Sequence, residues 1–152
     1  MGVSVTVAVD GDLGVLTRLR RAWTEENAGA PIDDAGFDAA FAAWCDAERA
    51  TRTFFLVEID GVAVGMANVK RYQRMPVPGR ASGCWGYVGN VFVLREHRDR
   101  GVGAALMQAL AEWAWSAGME HLRLAPSPRS VPFYDRLGYA AGSVIELDPP
   151  PA

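Results

Sequence analysis

A strand, a helix and a second strand follow one another directly in the second half of this chain, and no other feature constrains the fold as tightly. Gly86–Leu94 is an apolar run of strand length, rich in Val and Phe. From about Gly101 to Ala117, the residues Val102, Ala105, Leu106, Ala109, Leu110, Trp113 and Ala117 recur at the spacing of one helical face, and Gly118 suits the position after a helix end. His121–Ala125 reads as a short strand. Two strands joined by a helix in this way lie parallel, with a right-handed crossover.

The rest of the chain supplies the other elements. Val3, Val5, Val7 and Val9 alternate with small or polar residues, the period of a strand. Asp10 or Asp12 can cap a helix with the face Leu13, Leu16, Leu19 and Trp23, ended by Gly29 and Pro31. Asp33 or Asp34 can start a second helix with the face Phe37, Ala40, Phe41, Trp44 and Cys45. Thr53–Ile59 and Val62–Lys70 read as strands joined by Asp60-Gly61, a turn pair that accepts positive φ at both residues. Tyr72–Gly83 holds Pro76, Pro78, Gly79 and Gly83, and reads as a loop. After the β-α-β unit come a short helix at about Ser130–Leu137, ended by Gly138, and a last strand, Tyr139–Leu147. The order β-α-α-β-β-β-α-β-α-β predicts an α/β fold with a mixed, mostly antiparallel sheet and helices on both faces. Residues 1–148 read as one domain, and 149–152 as a Pro-rich tail that can continue neither helix nor strand.

Composition removes several functions. The chain has 152 residues, half of them hydrophobic, enough for one packed core. Its apolar runs fall far short of a membrane span, and its start lacks the pattern of a secretion signal, so no membrane contact and a cytoplasmic location are expected. Cys45 and Cys84 form no CxxC pair, and His97 and His121 stand apart from acids and cysteines, so no metal site is expected. A net charge of −3 argues against nucleic acid as a partner. The charge is split: residues 1–60 carry 5 Arg against 11 acids, and residues 61–152 carry 10 Lys plus Arg against 7 acids. Trp115 falls off the main face of its helix, a position that fits partial exposure, cover by a strand, or a homodimer contact.

The chemistry concentrates at Val91–Ala104, where a buried strand passes through a basic loop into a helix. A helix start leaves N–H groups unpaired and carries partial positive charge. Gly101 and Gly103 let a ligand approach the backbone, and Arg98 and Arg100 add charge, a combination that can hold a pyrophosphate. The pattern is neither a GxGxxG fingerprint after a first strand nor a P-loop, which needs GKS or GKT.

Two motifs carry a family resemblance. Arg98-x-x-Gly101-x-Gly103 matches the Arg/Gln-x-x-Gly-x-Gly/Ala signature of the GCN5-related N-acetyltransferases, the GNAT family. Ser127-Pro-Arg-Ser130-Val-Pro-Phe133-Tyr134-Asp-Arg-Leu-Gly138-Tyr139 resembles that family's closing motif, Asn-x-x-Ala-x-x-hydrophobic-Tyr-x-x-x-Gly-Phe. The order of elements is similar over residues 3–147.

The resemblance implies acetyl-CoA as cosubstrate, no metal, and acetyl transfer to a primary amine of a small molecule or peptide. It implies that the backbone of Val91, Phe92 and Val93 pairs with the pantetheine arm, in a wedge where this strand splays from the next. It places Arg98, Asp99, Arg100, Gly101, Val102, Gly103 and Ala104 around the pyrophosphate, Ser127 beside the cofactor in place of the usual Asn, and Tyr134 as the acid for the leaving thiolate. Many relatives carry a Glu base on the central strand, but Gly89, Asn90, Val91 and Phe92 include no acid. Trp23, Glu25 and Glu26, at the end of the first helix, are the candidates for the acceptor pocket, with Glu26 suited to a cationic amine or simply to solvent. Loop Tyr72–Gly83 is expected to form another wall. A non-catalytic acyl-CoA-binding or sensing domain would keep Arg98–Gly103 without needing Tyr134, so the tyrosine favours an enzyme.

Overall fold

A computed structural model describes residues 2–152 of the chain. Five strands form one sheet in sequence order: β1 (Val3–Val7), β2 (Arg52–Ile59), β3 (Val62–Gln73), β4 (Cys84–Val93) and β5 (Met119–Arg123). The first four run antiparallel, and β4 and β5 run parallel. The helices are α1 (Leu13–Ala28), α2 (Phe37–Glu48), α3 (Val102–Ser116) and α4 (Val131–Arg136). The β4-α3-β5 unit is the parallel pair that the sequence predicts.

Local chemistry sets the ends of these elements. At the β2–β3 turn, Asp60 and Gly61 have φ of 49° and 82°, the primed geometry that matches strand twist. Short helical turns lead into α1 at Asp10–Asp12 and into α4 at Pro128–Ser130. Asp12 does not cap α1 with its side chain; its carboxylate accepts from the Val9 N–H at 2.8 Å. β3 runs past Lys70 to Gln73 because Tyr72 stacks across the ladder on Trp85, ring centroids 4.7 Å apart.

Two apolar layers flank the sheet. α3 and α4 cover one face, where Leu106 and Leu110 of α3 are fully buried with Phe55, Val57, Val69 and Val88. Each such leucine contributes about 1.5–3 kcal/mol by leaving water. α1 and α2 cover the other face through Leu16, Leu19 and Phe41, against Leu56, Met66 and Phe92. Trp115 is 52% exposed on α3. No helix among the described residues is long and apolar enough to cross a membrane.

The expected strand Tyr139–Leu147 is absent. Those residues form no ladder, and Val144, Ile145 and Leu147 are largely exposed. A strand exists through a partner edge, and here β5 pairs only with β4 while the chain after Tyr139 pairs with neither.

Candidate active site

Pairing between β4 and β5 ends at Tyr87 and Arg123, yet β4 continues to Val93. β5 itself ends at Arg123, so residues 88–93 of β4 have no partner on that edge, which leaves a wedge-shaped gap leading to the start of α3. Within β4, Asn90 and Val91 together face Ala67 of β3, a bulge that holds Asn90 at φ 55°. Val91 and Val93 pack toward the α3 layer, whereas Phe92 lies under α1, stacked with Trp23 at 5.8 Å. The strand expected at the pantetheine thus reaches the wedge through its backbone.

The loop into α3 is a cradle of donors. Asp99 and Gly101 adopt φ of 59° and 79°. Alternating left-handed residues turn successive N–H groups to one side, a nest suited to anions. Among the described hydrogen bonds none uses the N–H of Asp99, Arg100, Gly101, Val102, Gly103 or Ala104; the first helical bond runs from the Ala105 N–H to the Gly101 carbonyl at 3.0 Å. A Cβ on Gly101 would meet nothing within 4 Å, so its surroundings are open. Gly103 is different: a Cβ there would sit 3.3 Å from Cζ of Phe133, so this glycine makes room for α4.

Arg98 does not point freely from the loop. Its Nε donates to the Val93 carbonyl at 2.8 Å, and its two terminal nitrogens donate to the Glu26 carboxylate at 2.7 and 2.9 Å. Arg95 adds a weaker contact to Glu26 at 3.5 Å. The guanidinium thus ties α1 to the strand end, and any hold of this loop on pyrophosphate falls to the backbone and to exposed Arg100. The same pair bears on Glu26. The Arg98 hydrogen bonds hold its carboxyl below the usual range, so it is a weak base. Glu25 accepts from Arg21 and from the Ile32 N–H. Trp23, Glu25 and Glu26 therefore brace α1, Trp23 against β4, Glu25 against the following loop and Glu26 against Arg98.

Tyr134 lies 9% exposed between the rings of Phe133 and Tyr139, at 5.0 and 5.6 Å. Burial raises the pKa of its phenol, and no described hydrogen bond uses its hydroxyl. The Tyr139 hydroxyl is buried without a partner, and burial pushes it up to about 12. Ser127 is exposed, with Oγ 2.9 Å from Oγ of Ser130, whose hydroxyl donates to the Ser127 carbonyl.

Two hollows lie near the sheet. One, about 180 Å³, sits between α1, α2 and the β4 bulge, lined by Arg20, Phe41, Trp44, Phe54, Met66 and Asn90. The other, about 610 Å³, is walled by the β3–β4 loop with Trp85 and Glu120. Trp85 is five residues before Asn90 along β4, roughly 17 Å at ~3.3 Å per residue. The β3–β4 loop therefore lines a hollow separate from the one at the bulge. Beneath the bulge runs a polar chain that the sequence reading missed. Arg52 Nη1 donates to Asn68 Oδ1 at 2.5 Å, and Asn68 Nδ2 donates to Asn90 Oδ1 at 2.8 Å. Its one sequence signal was Asn68, a fully buried amide inside an apolar strand.

The sequence pattern of the Acetyltransferase (GNAT) family matches residues 16–139. A glucosamine 6-phosphate N-acetyltransferase from Trypanosoma brucei brucei is 35% identical over 81 residues, 53% of this chain and 53% of that protein, so the match spans about half of the relative. A predicted acetyltransferase from Clostridium acetobutylicum, solved with acetyl-CoA, superposes with a TM-score of 0.75 at 16% identity, covering 97% of this chain and 96% of that one. An aminoglycoside N-acetyltransferase in complex with CoA gives 0.74 at 21% identity, covering 97% and 94%. These two structures share the fold.

Proposed function

The chain belongs to the GNAT family of acetyltransferases, and from that premise we propose that it moves the acetyl group of acetyl-CoA to a primary amine by direct attack. The observation that carries this reading is the wedge itself: the unpartnered edge of β4 past Tyr87, a row of unpaired N–H groups at residues 99–104, and a buried phenol at Tyr134. The N–H row suits a pyrophosphate, the β4 backbone at Val91–Val93 suits a pantetheine amide, and the exposed side chains of Arg100 and Ser127 are free to take polar contacts from the cofactor.

Acetyl-CoA supplies an activated thioester. The amine nitrogen forms the new C–N bond, the C–S bond breaks, Tyr134 gives its proton to the departing sulfur, and the proton that the nitrogen sheds after attack passes through water to restore the phenol. Every carboxylate of α1 and α2 is ion-paired, and β4 contains none. With no unpaired carboxylate on these elements to assign as base, the ammonium proton goes to water in this reading. The expected kcat/KM rises with pH toward the pKa of the acceptor amine, with no inflection from a carboxylate or histidine between pH 5 and 8. A plateau reached near neutrality with an amine of pKa above 9 would reveal a protein base instead. The direct test is calorimetry with acetyl-CoA, joined to an assay of thiol release over a panel of amines. One site per chain and amine-dependent release are expected; no heat at millimolar acetyl-CoA defeats the reading.

A further inference from the structure

The hollow at the β4 bulge has a definite polarity. Phe41, Trp44, Phe54 and Met66 make its apolar wall, and Arg20 and Asn90 are its polar members. Arg20 lies half-buried over the Trp23 ring at 4.9 Å and forms no ion pair among the described residues. The other arginines of α1 are engaged: Arg18 donates to the Ala63 carbonyl at 3.3 Å, and Arg21 to the Ile32 carbonyl at 2.8 Å.

The orientation of Asn90 follows from Arg52. A guanidinium only donates, so the Asn68 atom that meets it must be the oxygen. Asn68 then offers its NH₂ to Asn90, whose oxygen must accept. The NH₂ of Asn90 ends the chain with no partner among the described residues. The polar side-chain groups that the hollow presents are thus donors, the Arg20 guanidinium and the Asn90 NH₂, and no carboxylate is among its lining residues.

We infer that the acceptor is a small primary amine carrying an anionic group, a carboxylate or a phosphate, held by Arg20, with the Asn90 amide donating to a substrate oxygen beside the bulge and the apolar body of the substrate against Phe41, Trp44 and Phe54. This rests on the acetyltransferase reading and narrows it to an acceptor class. The hollow is smaller than the roughly 300–1,000 Å³ that encloses a drug-sized ligand, so it takes one ring or side chain. A polyamine or an aminoglycoside would place extra ammonium groups beside Arg20 with no carboxylate among the lining residues to receive them.

Matched pairs that differ in the anion test this: tyrosine against tyramine for a carboxylate, glucosamine 6-phosphate against glucosamine for a phosphate, with spermidine as the polycation. In the wild-type protein the anionic member of at least one pair is favoured by about tenfold or more in kcat/KM, the scale of a charge-assisted hydrogen bond. Arg20→Gln brings that ratio to within about threefold, and Arg20→Lys keeps part of it, since a single ammonium still attracts the anion without the guanidinium fork. An unchanged melting temperature shows that Arg20→Gln is folded. Preference for the uncharged members or for spermidine overturns the inference, as does an Arg20→Gln loss that falls equally on both members of a pair. If no amine is acetylated, the acetyltransferase reading fails instead. Calorimetry with the same pairs then decides the hollow: heat from an anionic member that disappears in Arg20→Gln supports it, and no heat from any anionic member overturns it.

Discussion

Burial keeps the Tyr134 phenol protonated well above neutrality, which is what a proton donor to a thiolate needs. Tyr134→Phe removes only the hydroxyl and leaves the ring between Phe133 and Tyr139. The expected result is a fall in kcat on the order of 10²–10⁴-fold, the scale of a lost general acid, with acetyl-CoA KM and melting temperature little changed. Steady-state kinetics on both forms checks it, and a Phe variant with near wild-type turnover, chemistry being rate-limiting, removes Tyr134 from the acid role. Arg98 acts differently. Its side chain is 33% and that of its partner Glu26 21% exposed, so solvent screens the pair in part. Arg98→Ala should cost about 1 kcal/mol of stability and weaken CoA binding indirectly, by releasing the loop. Because Glu26 and Val93 need a planar fork, Arg98→Lys should rescue poorly. In a double-mutant cycle, adding Glu26→Gln to Arg98→Ala should change melting and CoA affinity little, whereas full additivity would mean that the two side chains act independently.

At the scale of elements, α3 and α4 meet through Gly103. The 3.3 Å approach of a Cβ to Phe133 leaves space for alanine only if the ring yields slightly. Gly103→Val should push Phe133 outward and carry neighbouring Tyr134 with it. Calorimetry should then show weakened acetyl-CoA binding and a lowered melting temperature, while Gly103→Ala stays near wild type in both. Equal behaviour of the two variants would mean that α4 is not seated on this glycine. The same elements show what a sequence exposes. The face of α3 was legible because seven apolar residues share one helical period, and the β2–β3 turn because Asp60-Gly61 specifies its own geometry. The strand Tyr139–Leu147 was misread because alternation describes a segment and says nothing of a partner edge. The basic glycine loop was legible as a motif, but the direction of Arg98 was set by Glu26, 72 residues away in sequence. The chain Arg52–Asn68–Asn90 joins residues 16 and 22 positions apart, and only the β2–β3–β4 register brings them together. No local period can reveal such a contact.

Across the whole molecule, the acidic first part and the basic second part of the sequence meet at two places, Glu26 with Arg98 and Glu48 with Lys70 at 2.7 Å. Both carboxyls are held below their ordinary range, Glu26 chiefly by its Arg98 hydrogen bonds and Glu48 chiefly by its Lys70 hydrogen bond. A carboxyl depressed in the folded state binds protons more readily in the unfolded one. Its stabilising contribution is therefore complete above the unfolded value, about 4.3, and is lost as pH falls through the folded value. Melting temperature should stay level from neutrality to about pH 5 and decline below about pH 4.5. The Glu26→Gln, Glu48→Gln double variant should melt lower at pH 7 and decline less on acidification, so that the two curves converge. In 1 M salt the gap at pH 7 should narrow, because a Debye length of about 3 Å screens partly exposed pairs. Parallel curves from pH 7 to pH 3 would place the acid sensitivity in other carboxylates and leave these contacts as local braces on the site, without weight in the stability of the fold.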